Sequence, residues 1–263
     1  MAFPNVIYGD YGDQRTISTA KIGNLPLGQV MVLPDGTEFR HSRAGSVAVT
    51  VGTLLEQQTL AAGADNIVSL AVIAGSALIN TKTISLTMSG TGAMATDQYV
   101  DGYIFSAVTT GAGGGFAYKV KSCSSGAAGS TAVVTLYENI HVSIAGGTTT
   151  VGLRVNPQDK VELTTADTVS LGVLAGVSCA SAAASSYLWL QTKGPGTAFT
   201  DNTSTIIGVA ISASSTVAGA VGTVNITAVD TGGNMVTKGN DVIGRCMSVA
   251  ASAGFGLFDF DIK

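Results

Sequence analysis

Residues able to do chemistry are few in this sequence, and they are widely spaced. His41 and His141 are the only histidines, and neither has a metal-type neighbour two or four positions further on. His41 stands between Arg40 and Arg43, and His141 belongs to an alternating strand-like pattern. These settings favour a structural or surface role for both histidines. A G-x-S-x-G motif is missing, so a hydrolase triad lacks its usual local signature.

Two further patterns resemble ligand sites but fit simpler structures. The glycine-rich run 111–115 lacks the Lys-Ser/Thr of a phosphate-binding P-loop and opens no predicted helix, which favours a hairpin turn. Paired acids occur at Asp10/Asp13, Asp97/Asp101 and Asp259/Asp261. The dense Asp/Asn loop typical of calcium sites is missing, and a solvated strand edge accounts for the last pair equally well. The sequence therefore predicts no catalytic residue, no cofactor and no metal site, and an enzyme is not expected.

The cysteines likewise do not indicate a metal site. Cys123, Cys179 and Cys246 are odd in number, far apart, and without the C-x-x-C or histidine partners of a zinc site. They are predicted to be small buried or half-buried thiols.

Composition describes a poorly charged chain of small residues. Charged residues make up 11% of the 263 residues, and 34 are glycine, whereas about a quarter of an average chain is charged. Low charge argues against disorder and suggests a surface that is covered in an assembly. The net charge is −4 and Lys and Arg are scattered singly, so nucleic-acid binding is not expected.

Targeting signals are also not expected. Met1–Asn5 shows neither the positive start nor the apolar run of a signal peptide. The uncharged stretch 168–192 is long enough to raise the question of a membrane span. Ser, Gly and Gln interrupt it, however, so two strands fit it better and no membrane association is predicted.

Strand patterns dominate the chain, and no long amphipathic helix is evident. Pro34-Asp35-Gly36 between two alternating runs predicts a hairpin, since Pro presets φ and Gly accepts positive φ. Tyr187–Thr192 alternates around Trp189, the only tryptophan, with Tyr187 and Trp189 on one face and the leucines on the other. Burial of both faces would suit an inner strand, and Gly194-Pro195-Gly196 predicts a turn that ends it.

Glycines spaced by 36 residues (172, 208 and 244) suggest three similar strand–turn–strand units in the last third of the chain. Coincidence in a glycine-rich chain is the alternative interpretation. At the C-terminus, Phe258, Phe260 and Ile262 are predicted to point inward and Asp259 and Asp261 outward.

The fold prediction is all-β: a mostly antiparallel sandwich or barrel-like domain with few helices and an extended N-terminal arm. We expect an arm at 1–24, a β-rich main domain at 25–200, and a C-terminal β segment at 201–263 packed on the same sheet system.

Several runs together resemble a family of tailed-phage head decoration or cement proteins, small β-rich proteins encoded near the major capsid protein. Pro34–Gly45 is similar to that family's D-G-x-x-F-R-Y-x-x-A-G run, with His41 in place of the usual aromatic. The other similar runs are Asp97–Ile104, Tyr118–Lys121, Leu136–Glu138, Val155–Pro157 and Tyr187–Pro195.

The resemblance implies a non-enzymatic virion protein, made in the host cytoplasm and bound to the outside of an icosahedral head. It implies the major capsid protein as partner, a homotrimer as oligomeric state, and clamping of neighbouring capsid subunits. Low charge and an arm that wraps a partner fit this role. Candidate contact residues are Phe3, Tyr8, Tyr11, Arg15, Arg40 and Arg43.

Other functions remain open on the residues alone. A receptor- or glycan-binding fibre or adhesin domain would also be rich in β-strands, Gly and Thr, but it should display aromatic residues on loop tips. A shell-forming subunit of the common tailed-phage type would carry a long spine helix, and other virion shell or tail subunits form a further alternative.

Overall fold

A computed structural model describes residues 6–23, 25–60, 65–88, 92–106, 114–146, 149–166, 172–201, 206–224, 228–229, 235–236, 242–248 and 253–262. The strands in chain order are β1 (Val6–Tyr8), β2 (Val30–Val32), β3 (Glu38–Arg43), β4 (Leu54–Gln57), β5 (Asn66–Val72), β6 (Thr83–Thr87), β7 (Tyr103–Ser106), β8 (Ala117–Cys123), β9 (Thr131–Leu136), β10 (Thr150–Arg154), β11 (Val161–Leu163), β12 (Leu174–Ser178), β13 (Tyr187–Phe199), β14 (Ala210–Ala213), β15 (Val221–Thr223), β16 (Ala228–Val229), β17 (Met235–Val236), β18 (Gly244–Ser248) and β19 (Phe255–Asp261). The helical content of these described ranges is one 3-10 turn, Asp13–Arg15. The all-β prediction is confirmed.

The chain folds into two compact units. Unit 1 contains Met1–Thr59 and Pro157–Lys263, and unit 2 contains Leu60–Asn156. The residues expected to form one main domain, 25–200, are thus distributed over both units. The first and last strands of unit 2, β5 and β10, pair antiparallel with each other. Because this pairing brings the two ends of the segment together, a complete unit can be inserted between β4 and β11.

Unit 2 is a closed barrel in the order β10-β5-β6-β9-β8-β7. Closure leaves its strands without free edges. Alternation along β8 and β9 sends every second side chain inward, where Ile84, Tyr118, Val134 and Leu136 belong to one buried core. The glycine-rich hairpin predicted at 111–115 joins β7 to β8, which pair antiparallel; its residues 111–113 lie outside the described ranges.

Unit 1 is built on an eleven-stranded sheet with the main order β1-β2-β3-β13-β19-β18-β14-β15. Strands β4, β11 and β12 join it beside β13. The described part of the N-terminal arm belongs to this sheet, since β1 pairs in parallel with β2 and Ser18 forms a β-bridge with Tyr187. The predicted Pro34-Asp35-Gly36 hairpin is confirmed, because β2 pairs antiparallel with β3 and Gly36 has φ 84°.

The long strand β13 is the centre of unit 1. Its first half pairs with β3, where Trp189 lies opposite His41, and its second half pairs with β19. The prediction that Gly194-Pro195-Gly196 ends the strand is therefore wrong. The strand continues to Phe199 because β19 pairs with its second half. Beside this junction the Gln191 amide donates hydrogen bonds to the carbonyls of Lys193, Gly194 and Pro195, at 3.4, 3.1 and 2.9 Å.

The three 36-residue units correspond to three antiparallel hairpins. They are formed by β12 with β13, β14 with β15, and β18 with β19. The spacing glycines 208 and 244 both have positive φ, 83° and 155°, which explains why glycine stands at these two positions. Phe258 and Phe260 are buried in β19 as predicted, and Asp259 and Asp261 are exposed.

Both faces of the first half of β13 are buried, which is the arrangement of an inner strand. Trp189 is 6% exposed and lies in a cluster with Met31, Leu33 and Phe39. On the other face, Leu188 and Leu190 belong to a separate buried cluster. The strand therefore separates two packed layers and fixes their distance.

Replacing Trp189 with alanine is expected to lower the free energy of unfolding by about 3–5 kcal/mol, since a large cavity would open in the core. Urea unfolding followed by far-UV circular dichroism measures this loss. Trp189→Phe keeps most of the volume and should cost less. A near-neutral Trp189→Ala would show that the side chain contributes little to the packing.

Candidate functional site

A groove of about 430 Å³ lies in unit 1 beside β13. The arm supplies Tyr11, Gln14 and Arg15, and the β2–β3 turn supplies Asp35 and Thr37. The other lining residues belong to the sheet and its loops and are Leu33, Phe39, Val51, Ser178, Cys179, Gln191, Pro195, Gly196, Thr197 and Leu257. Six separated segments of sequence therefore build this site.

The groove has a buried base and an exposed rim. Phe39 and Gln191 are 3% and 5% exposed, whereas Tyr11 is 66% and Val51 is 46% exposed. The base is narrow at Gly196, where an added Cβ would stand 2.1 Å from the Gln191 Oε1 atom. Glycine is thus required for the Gln191 amide to reach the strand carbonyls. The exposed rim residues offer apolar area to a partner.

Hydrogen bonds fix the polar groups of the rim. Asp35 Oδ1 accepts from the Thr37 hydroxyl at 2.7 Å and from the Thr37 N–H at 3.0 Å, and these bonds lower the pKa of Asp35. Burial raises the pKa of the Cys179 thiol to about 11, although the Arg15 charge acts in the opposite direction. At neutral pH this thiol is protonated, so it is a packing group and a poor nucleophile.

The predicted contact residues take different positions. Tyr8 and Tyr11 are 85% and 66% exposed, and Tyr11 and Arg15 line the groove together. Arg40 is half-buried on β3, opposite Leu190 of β13. Phe3 lies outside the described residues. The fold thus brings Tyr11 and Arg15 into one site.

Arg43 is engaged within unit 1. Its Nε and Nη2 atoms donate to the two carboxylate oxygens of Asp159 at 2.6 and 2.8 Å. The Asp159 side chain is 6% exposed and that of Arg43 is 34% exposed. This bidentate pair joins β3 to the loop before β11, so Arg43 has a structural role whether or not it also contacts a partner.

Arg43→Ala should lower the free energy of unfolding by about 1–3 kcal/mol, because the buried Asp159 carboxylate would lose its donors. The loss should stay below that of a fully buried pair, since solvent screens a guanidinium that is one-third exposed. Chemical denaturation measures it. The double variant Arg43→Ala/Asp159→Ala removes the orphaned charge, and its loss should be smaller than the sum of the two single losses.

Two glutamates, which carry like charges, face each other across the β4–β11 pair. Glu56 lies directly opposite Glu162. Glu56 is 2% exposed and accepts hydrogen bonds from the N–H groups of Thr165 and Gly172 at 3.0 and 3.1 Å. Burial, and secondarily the Glu56 charge, raise the pKa of Glu162. Glu56 therefore anchors the backbone at Thr165 and Gly172. The raised pKa of Glu162 means that its ionised form destabilises the folded state.

Glu162→Gln is expected to raise the free energy of unfolding at pH 7 by about 0.2–1 kcal/mol, the range of cross-strand pair effects. A carboxyl whose pKa is raised by folding destabilises the folded state when it is ionised. The gain should therefore vanish as the pH falls below the ordinary value of 4.5, where both states bind the proton. Thermal unfolding between pH 3 and 8 tests this, with the exposed Glu138→Gln as the control.

The remaining candidate groups have structural roles. His41 is buried, and its ring stacks on Tyr187 at 5.5 Å and tilts against Trp189 at 5.2 Å. His141 is exposed, 3.3 Å from the Glu138 carboxylate. Cys123 and Cys246 are buried and Cys179 is half-buried, all as free thiols, as predicted. Among the described residues, no group of three or more His, Cys, Asp or Glu side chains could hold a metal ion.

Sequence reasoning missed most of the groove. Cys179, directly after β12, and Leu257 of β19 meet through the pairing of β13 with β12 and β19, and the Val51 N–H donates to Ser181 Oγ in the loop after β12. The one local signal was Gly194-Pro195-Gly196, which indicated an irregular backbone at the place where the groove forms.

Comparison of the chain with protein-family models, with curated proteins and with solved structures gives no match. Within the described ranges, no helix has the length and apolar character needed to cross a membrane. The site's own geometry and the motif resemblance are therefore the basis for a functional proposal.

Proposed function

We propose that this chain is a non-enzymatic virion protein, a head decoration or cement protein that binds the outside of an icosahedral phage shell. Its partner is the major capsid protein, and its copies assemble as trimers that clamp neighbouring capsid subunits. The observation that carries the proposal is the exposed apolar and aromatic surface of unit 1, which we call its rim: Tyr11, Val51 and Leu257 line the groove, and Tyr8 of β1 is also exposed.

The location of the family-like runs supports this proposal. Pro34–Gly45 contains β3, and Tyr187–Pro195 contains the first half of β13. The two runs are far apart in sequence, yet β3 and β13 pair along six positions from Tyr187–Arg43 to Lys193–Glu38. Residues that resemble one family in both runs therefore depend on each other physically, as expected if the resemblance reflects a shared core.

The chemistry of the rim fits a shell partner. Aromatic residues and arginine are enriched at protein interfaces, and Tyr11 and Arg15 stand together at the groove. A shell presents many copies of one surface, so modest contacts add through multivalency. An extended segment of a capsid subunit that enters the groove would cover Val51 and Leu257 and would find the fixed polar groups of Asp35 and Thr37.

The double variant Tyr8→Ala/Tyr11→Ala should bind shells at least about ten-fold more weakly than the wild type, because loss of one anchor side chain removes roughly 1 kcal/mol or more. Cosedimentation with shells assembled without this chain measures the binding. Both side chains are largely exposed, so the unfolding midpoint should not change.

Tyr103→Ala, in unit 2, is the matched control and should bind shells as the wild type does. The proposal is wrong if the wild type does not cosediment with shells. If the wild type binds and the double variant binds equally well, shell binding stands and the rim of unit 1 is excluded as the contact.

A further inference from the structure

The outer face of the unit 2 barrel carries a cluster of two tyrosines and three lysines, which we name the Tyr–Lys cluster. Its members are Tyr103 on β7, Lys119 and Lys121 on β8, Tyr137 directly after β9, and Lys82 directly before β6. Tyr103 and Tyr137 are 40% and 44% exposed, Lys82 and Lys121 are exposed, and Lys119 is half-buried.

Strand register places the tyrosines on either side of Lys119. Tyr103 lies directly opposite Lys119 in the β7–β8 pair, and opposed residues point to the same face of a sheet. On the other side, the Tyr137 N–H donates to the Lys119 carbonyl at 3.1 Å, and Lys119 Nζ lies 6.0 Å from the centre of the Tyr137 ring. Adjacent strands are about 4.8 Å apart, so the backbones at the two tyrosines stand roughly 10 Å from each other, with the Lys119 backbone between them.

Buried contacts hold part of this cluster in place. The Tyr137 hydroxyl donates to Asp101 Oδ1 at 3.0 Å, and Asp101 is fully buried. Lys82 Nζ donates to the Tyr137 carbonyl at 3.1 Å. A ring that is tied at its hydroxyl loses little conformational freedom when a ligand binds, so the cluster is partly preorganised.

The cluster concentrates positive charge locally in a unit whose acidic and basic residues are equal in number. Unit 2 has four basic residues, Lys82, Lys119, Lys121 and Arg154, and three of them belong to the cluster. Of its four acids, Asp65 and Asp101 are buried, the exposed Glu138 lies beside His141, and the exposed Asp97 accepts from the Cys123 N–H at 3.1 Å. A ligand with sparse anionic groups and flat apolar surfaces fits this combination of lysines and tyrosines.

We propose that the Tyr–Lys cluster binds an acidic saccharide chain. Sugar rings lie with their C–H faces against Tyr103 and Tyr137, and a uronate carboxylate between them accepts hydrogen bonds from Lys119. A single acidic sugar between two ring-stacking positions matches one lysine between two tyrosines. Lys82 and Lys121 attract neighbouring carboxylates.

A nucleic acid fits these observations less well. Its affinity depends on neutralising a closely spaced series of phosphates, whereas the cluster offers three lysines and the chain as a whole has net charge −4. The saccharide site belongs to unit 2 and the proposed shell contact to unit 1, so each can be tested without the other.

Isothermal titration calorimetry of the full chain with short hyaluronate oligosaccharides, which alternate a uronate with a neutral sugar, tests this proposal. Binding is expected, and it should weaken as salt is raised, because exposed charges are screened. Tyr103→Ala and Lys119→Gln should each weaken it by about ten-fold or more, as for anchor residues. Val133→Ala on the outer face of β9 and Lys193→Ala in unit 1 are matched controls and should bind as the wild type does.

Dextran oligosaccharides of equal length and an oligothymidylate are the comparison ligands. Failure of hyaluronate to bind, or equal binding by Tyr103→Ala and Lys119→Gln, overturns the proposal. Binding of oligothymidylate in preference to hyaluronate overturns it in favour of a nucleic acid. Equal binding of the neutral dextran also overturns it, because the contact between Lys119 and a carboxylate would then contribute nothing. The milder Tyr103→Phe keeps the ring and should retain binding, so loss through misfolding is distinguished from loss of the ring.

Discussion

The pairing of β13 with β3 along one half and with β19 along the other is the constraint on which unit 1 depends. The register of β13 against β3 shifts between Gln191 and Lys193, where the strand changes partners. At this place the Gln191 amide donates to the carbonyls of Lys193, Gly194 and Pro195, and its position leaves no room for a side chain at Gly196. Gln191, Pro195 and Gly196 all line the groove, so the candidate site lies beside this register shift.

Unit 2 differs from the open sheet of unit 1 because its strands form a closed barrel. Its six strands close on themselves, so backbone groups are satisfied within the barrel and the outer side chains are free to vary. Inward positions such as Ile104, Val120 and Leu136 are occupied by apolar residues. The residues next to them in sequence, Tyr103, Lys119 and Tyr137, face outward. The Tyr137 hydroxyl also donates to the buried Asp101 carboxylate, so this ring serves the fold as well as the proposed saccharide site.

Local patterns were sufficient to predict the class of fold and several of its parts. Alternation identified the inward phenylalanines of β19, and Pro34-Asp35-Gly36 identified the first hairpin, because both signals act over a few residues. The continuation of β13 beyond Pro195 was not predictable, since it depends on β19 more than fifty residues away. The opposition of Glu56 and Glu162 and the insertion of unit 2 likewise depend on long-range register, which short patterns do not encode.

Ion pairs within the fold decide which charged side chains remain available to a partner. The chain has only 13 basic residues. If Arg43 turned to a partner, the buried Asp159 carboxylate would lose its ion pair, so this contact would lower the stability of the fold. Arg15 stands at an exposed rim beside Tyr11, where recruitment costs only side-chain freedom. Two arginines that are equal candidates by sequence thus differ as contact residues. The same distinction separates Lys193, which is paired with Glu38 at 3.1 Å, from Lys119, whose ammonium group lies over an aromatic ring. On such a sparsely charged surface, the charged groups that are not held in ion pairs within the fold are the ones that the proposed binding sites use.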